Sequence, residues 1–320
     1  MSKLIVVVLT FGYLTACGAS KSEEAAPHKN QVDAHAERVI AAMPGDLRGV
    51  ASINLPRVLE SQTLSLLLAP LFEDASIREV LSDAEKTCGV SLLDDVTRLF
   101  LGFGQPHGRV TIAVLGKFKP RHLAGCVRAL AEKHLGDHVT FETRPNGYGM
   151  VVTEPAMRID VVERDGVVMF DIPKLSRGRD GKRTFDASAP TPGDRGSLAS
   201  NTELMKALTE IDTDQAVWMV SGGDASKSFL TEPPNMMWFD ASAKQGLDIE
   251  VGLRYTSGDA AEIGRTALDT MLDTFLGSPA RELIKKIRLV VTGTDAVMTA
   301  RFDLPQTNQL AALLVTTIGG

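Results

Sequence analysis

Residues 96–153 read VTRLFLGFGQPHGRVTIAVLGKFKPRHLAGCVRALAEKHLGDHVTFETRPNGYGMVVT. Two apolar, β-branched runs, 96–102 and 109–116, flank Gly104-Gln105-Pro106-His107-Gly108, a turn composition. Pro120 then suits the first turn of a helix, where its missing N–H costs nothing. From there to His134 the apolar residues Leu123, Cys126, Val127, Leu130 and Ala131 recur at the spacing of one buried helical face. Asn146-Gly147 is a two-residue hairpin signal between strands at 139–143 and 149–153. The stretch therefore predicts strand–strand–helix–strand–strand.

The same order returns near residues 236–304. Strands are predicted at 236–243 and 247–256, joined at Gln245-Gly246. A helix follows, with Asp259 and Glu262 as a capping box and Ile263, Ala267, Met271 and Phe275 as its buried stripe. Strands at 289–292 and 297–304 complete the second copy. Further strands are predicted at 49–54, 158–163, 167–172 and 216–221. Asp165-Gly166 marks another tight hairpin. Alternating strands need a covered face, and the amphipathic helices supply it. The expected fold class is α+β: two related units of antiparallel sheet, each covered on one side by helices. The first unit is expected over 38–175, a linker loop over 176–196 and the second unit over 197–320.

Before these units the chain has a different character. Met1-Ser2-Lys3 is a short basic start, and Leu4 to Leu14 is an apolar run too short to span a bilayer as a helix. Leu14-Thr15-Ala16-Cys17 closes it, with small residues before a cysteine. This pattern resembles the lipobox of bacterial lipoproteins. The resemblance implies cleavage between Ala16 and Cys17, lipid (diacylglycerol and palmitate-type acyl chains) on Cys17, and a signal peptide of residues 1–16. Each buried CH₂ contributes about 0.8 kcal/mol, so several chains on one residue hold a protein on a membrane where one chain does not. In that family, Asp after the cysteine favours retention at the inner membrane. Gly18 stands here, which favours the outer membrane. Residues 17–37 hold few large apolar side chains and are expected to form a tether. His28 and His35 within it are expected to be solvated.

Met43-Pro44-Gly45-Asp46 through Val50, Ile53, Leu55 and Leu59-Glu60-Ser61 is similar to the start of a group of uncharacterised exported and lipid-anchored bacterial proteins with duplicated α+β units. Ser197-Leu198-Ala199 with Asn201 is similar to the start of their second unit. The resemblance implies a fold and a location, and no activity.

Composition narrows the function classes. Among 320 residues, 44% are hydrophobic and 23% charged, the balance of a globular protein, and the net charge is −6. Mild acidity argues against a nucleic-acid partner, which needs a basic face. Aromatic residues make up only 5%, poor material for a stacking platform. With Cys17 assigned to lipid, Cys88 and Cys126 remain, each on an apolar helical stripe. A disulfide and two buried free thiols stand as equal readings.

The standard catalytic constellations are not found: no G-x-S-x-G, H-E-x-x-H, Walker loop or EF-hand loop. Gly102-Phe103-Gly104 with Gly108 has the wrong spacing for a dinucleotide loop and leads into a strand. His134 and His138 are four apart, but Gly136 between them ends the helix and no third ligand is near in sequence, so no metal site is expected. Asp94-Asp95 is expected to cap or turn, and Glu163 and Asp165 to be solvated at a hairpin tip. Arg177, Arg179, Lys182 and Arg183 form a basic patch in the linker, expected to be a solvated loop. Met236-Met237-Trp238 is expected to be a strand buried under helices. No cofactor is expected. The resulting expectation is a non-enzymatic, lipid-anchored protein of the cell envelope, acting through its surface as a binding or structural component, with an envelope protein as its partner. The rival expectation is a carrier of an apolar ligand held between sheet and helices, built on the apolar segments 64–71 and 310–315, and a more distant one is an envelope enzyme with an unfamiliar site.

Overall fold

In the computed structural model the described residues are 32–61, 64, 75–104, 109–153, 157–172, 176–177, 183–184, 196–222, 233–242, 246–276 and 287–309. In chain order they form α1 (Ala34–Ala42), β1 (Gly49–Asn54), α2 (Leu55–Glu60), α3 (Ala75–Cys88), α4 (Leu92–Asp95), β2 (Val96–Gly104), β3 (Arg109–Gly116), α5 (Pro120–Leu135), β4 (Val139–Arg144), β5 (Gly147–Val152), β6 (Met157–Arg164), β7 (Val167–Ile172), β8 (Ser176–Arg177), β9 (Arg183–Thr184), α6 (Thr202–Leu208), β10 (Val217–Gly222), β11 (Met236–Ser242), β12 (Leu247–Arg254), α7 (Gly258–Leu276), β13 (Ile287–Thr292) and β14 (Asp295–Phe302). The lipobox and Cys17, most of the tether with His28, the apolar segments 65–71 and 310–315, and Arg179 and Lys182 lie outside the described residues.

The fold is mixed α+β with antiparallel strands, in two compact units. The first holds Asp33–Pro56 and Asp74–Met205; the second holds the described residues within Arg57–Glu73 and Lys206–Gly320. The units thus interleave along the chain. Residues 197–205, expected to open the second unit, belong to the first. There Ser197 Oγ donates to Ala41 O at 2.8 Å and the Leu198 N–H to Met43 O at 2.9 Å. Helix α1 also begins inside the expected tether. Asp33 caps it, its carboxylate accepting from the backbone N–H groups of His35 and Ala36. The same carboxylate pairs with Arg98, which is almost fully buried.

In the first unit the strands run β1-β2-β3-β7-β6-β5-β4. The ladder puts Val50, Ser52, Phe100, Gly102, Thr111, Ala113, Met169 and Asp171 on one face. All of them are buried. Met43 and Leu47 close over Gly102, where a Cβ would lie 2.5 Å from Leu47 Cδ1. Thr111 Oγ1 donates to Asp171 Oδ1 at 2.7 Å, which satisfies the buried carboxylate. The opposite face carries α5, onto which Tyr148 reaches: its hydroxyl donates to Ala124 O at 2.7 Å. The sheet is therefore covered on both faces, a correction to the expected one-sided cover. The physical reason is visible in β3, where Val110-Thr111-Ile112-Ala113-Val114-Leu115 offers apolar surface on both sides of the pleat.

The second unit's strands run β13-β14-β12-β11-β10. Helix α7 covers the face with Leu253 and Ala296, through Ala260, Ala261 and Leu268. The expected stripe was different: Ile263 is 51% exposed. Gly264 faces Tyr255 instead, so closely that a Cβ there would lie 2.0 Å from the hydroxyl oxygen. The helix sits down through the residue that has no side chain. Its cap is Ser257 rather than Asp259, Oγ accepting from the Ala260 N–H at 3.2 Å, while Glu262 pairs with Arg265.

The order β2-β3-α5-β4-β5 matches β11-β12-α7-β13-β14, as the sequence pattern predicts. The pairing differs: β3 pairs with β7, whereas β12 pairs with β14. At the β6–β7 turn Asp165 has φ 53° and Gly166 φ 76°, two left-handed residues in succession as a type I′ hairpin requires.

Candidate functional site

Two places gather chemistry-bearing side chains. The first lies in the first unit, where α3 and α5 run side by side. Cys88, at the end of α3, is joined to Cys126 of α5 by a disulfide with the Cα atoms 5.4 Å apart. Of the two readings left open for these cysteines, the bonded one describes the structure. Moving back along α3 from Cys88 and forward along α5 from Cys126, the chain brings Asp83 to Lys133 and His134. Both Lys133 Nζ, at 2.8 Å, and His134 Nε2, at 2.7 Å, donate to the same oxygen, Oδ2. The hydrogen bond from Lys133 holds the Asp83 carboxyl below the usual carboxylate range, with the charges of Lys133 and His134 acting in the same direction.

One helical turn before Asp83, Glu79 shares its side of α3, as residues four apart do. One ligand atom each from Glu79, Asp83 and His134 lies within 4.8 Å of the others. His138 is not part of this group. It sits beyond Gly136, whose φ of 50° ends α5. Sequence reasoning considered His134 with the wrong partner. The usable signal was the pair of cysteines: a bridge between them sets α3 against α5 and brings the Glu79–Asp83 pair to the end of α5.

The second place is in the second unit, on the sheet face opposite α7. Both tryptophans lie here. Trp218 is fully buried and its Nε1–H donates to Thr213 O at 2.8 Å. Trp238 is also buried, lying on Gly252, with the Arg254 guanidinium 5.3 Å from its ring centroid. Arg254 donates to Asp295 and Glu210, at 2.7–2.9 Å, and these bonds raise its already high pKa. Between the tryptophans on the ladder, Asp240 is 6% exposed, and its Oδ2 has no hydrogen-bond partner. Burial first, then the charges of Glu250 and Asp212, push the Asp240 carboxyl up to about 8. It is therefore protonated at neutral pH, a titrating group in a hydrophobic setting. In strand β11 Met236 and Trp238 are buried on the face opposite α7, and Met237, half-buried, packs on the α7 side, so the expected burial under helices holds for Met237 alone among the three.

The remaining sequence candidates have local roles. Ser91 Oγ donates to Asp94 Oδ2, and the Ser91 N–H donates to Asp95 Oδ2, so this acid pair closes the turn around α4. Glu163 pairs with the exposed Arg121. Gly102-Phe103-Gly104 is the end of β2. Arg177 and Arg183 face each other in the β8–β9 pair.

No family model matches the chain, and no curated protein is similar to it. Among solved structures, three crystal forms of the Treponema protein TP0453 are similar in fold. Form III is 11% identical with a TM-score of 0.48, covering 90% of this chain and 100% of the other. Form I is 11% identical with a TM-score of 0.45, covering 90% and 98%. Form IV is 9% identical with a TM-score of 0.44, covering 86% and 95%.

Proposed function

We propose that this chain is a lipoprotein of the bacterial cell envelope, anchored through lipid on Cys17 and acting as a non-catalytic binding or structural component. The observation that carries this reading is the use of the three cysteines. Cys88 and Cys126 are bonded to each other, which leaves Cys17 as the single thiol free for acylation. Structural disulfides persist in oxidising compartments such as the periplasm and the cell surface, so the bridge accords with export. Among the described residues no helix is long and apolar enough to cross a membrane, and in this reading the lipid makes the attachment. Gly18 after the cysteine favours the outer membrane. The partner is an envelope component met by the folded units, which in this reading are related copies.

Mass spectrometry of the N-terminal peptide from bacterial membranes tests the anchor. The expected peptide begins at Cys17 and carries diacylglycerol and an amide-linked acyl chain. A peptide that retains residues 1–16, or one that carries an unmodified Cys17, contradicts the reading.

A further inference from the structure

The group at the α3–α5 contact has more ligand capacity than its hydrogen bonds use. Asp83 is bonded by Lys133 and His134 through Oδ2 alone, and among the described residues no donor meets its Oδ1. Glu79 is exposed, and none of its contacts among the described residues is a hydrogen bond or ion pair, although its carboxylate stands within 4.8 Å of both other groups. The Lys133 ammonium thus meets one of the three groups, the Asp83 carboxylate, and the ligand capacity of Glu79 is unused. We infer that Glu79, Asp83 and His134 form a binding site for a divalent transition-metal ion such as Zn²⁺, with Lys133 competing with the ion for Asp83 Oδ2.

The donor set decides the ion class. One imidazole with two carboxylates suits zinc and its first-row neighbours better than calcium, which takes six to eight oxygens. Ligands at about 2.0–2.2 Å from a tetrahedral zinc stand roughly 3.3 Å apart. The widest separation, within 4.8 Å, therefore needs to close by at most about 1.5 Å, while Asp83 Oδ2 and His134 Nε2, 2.7 Å apart, open slightly, both within the reach of side-chain rotation. Asp83 is nearly buried while Glu79 and His134 are exposed, so the site opens to solvent on one side and leaves a position for water or a donor from another molecule. The disulfide five residues from Asp83 and eight from His134 holds the two helices in register, so little ordering is left for the ion to impose. To bind, His134 Nε2 turns its lone pair to the metal, with the proton on Nδ1. Lys133, whose side chain is half exposed, swings into water. Lys133 is thus a competitor built into the site, and removing it strengthens binding.

The test is zinc titration of the full, disulfide-bonded chain against a chromophoric chelator, with circular dichroism to verify folding of each variant. The expected result is one Zn²⁺ per chain, weakened tenfold or more in Glu79→Gln and in His134→Gln, and tightened several-fold in Lys133→Met. Glu79 and His134 are exposed, so both variants keep the fold. Zinc uptake unaffected by His134→Gln, which would trace it to His28 and His35, overturns the inference. So does the absence of stoichiometric uptake by both the parent and Lys133→Met.

Discussion

Asp240 on β11 and Glu250 on β12 stand directly opposite each other across the antiparallel ladder. Two carboxylates at paired positions repel when both are charged. Here burial adds to the repulsion, and the Asp240 carboxyl keeps its proton up to about pH 8.

This arrangement gives stability a defined pH dependence. The folded pKa of Asp240 lies above that of an unfolded aspartate, so between the two values the native state holds the extra proton. The group costs nothing below about pH 4, and its cost grows as the pH rises, reaching a plateau above the folded value. Asp240→Asn removes the titration. Urea denaturation is expected to show parent and variant alike only below about pH 4, and the variant progressively more stable above it, by several kcal/mol near pH 9. A parent whose stability rises over that interval relative to the variant contradicts the assignment.

Glycines separate close packing from open helix surface. At Gly252 a Cβ would lie 1.8 Å from Trp238 Cε2, and at Gly264 2.0 Å from the Tyr255 hydroxyl. Ala at either position is expected to destabilise by about 2–3 kcal/mol through forced repacking. Gly125, inside α5, has no atom within 4 Å of its Cβ position. Gly125→Ala is expected to stabilise by about 0.5–1 kcal/mol, since glycine is costly in a helix interior. Thermal melts of the three variants check the opposite signs.

The bridge between Cys88 and Cys126 spans 38 residues of sequence. By the loop-closure relation, its removal in the double variant Cys88→Ser, Cys126→Ser is expected to cost about 3–4 kcal/mol. Chemical denaturation in the presence and absence of reductant measures it. The parent should lose that amount on reduction, and the variant should not respond.

Much of the strand layout was legible in the sequence, because the turns carry their own chemistry. Asp165-Gly166 sits in the turn it predicted, and the β4–β5 hairpin forms one residue early, with Pro145-Asn146 in the turn and Gly147 already paired with Arg144; the β1, β3 and β7 ranges follow directly from the apolar runs between turn residues. The face of α7 was not legible. Its periodic residue Ile263 points away from the stripe that packs, because Gly264 contributes to the contact by having no side chain. The two-sided cover of the first sheet was present in the unbroken apolar run of β3 but was read as a one-sided pattern. At the candidate site, His134 was visible and its partners were not. Glu79 and Asp83 are about fifty residues away in sequence, and only the cysteine bridge ties their helix to α5.

The most direct measurement of the central proposal is membrane fractionation of bacteria producing the parent chain and Cys17→Ser. The account predicts that the parent sediments with membranes and resists high-salt extraction, whereas the serine variant, with no sulfur to acylate, is recovered in the soluble fraction. A serine variant that still sediments with membranes under the same extraction would contradict anchorage through Cys17.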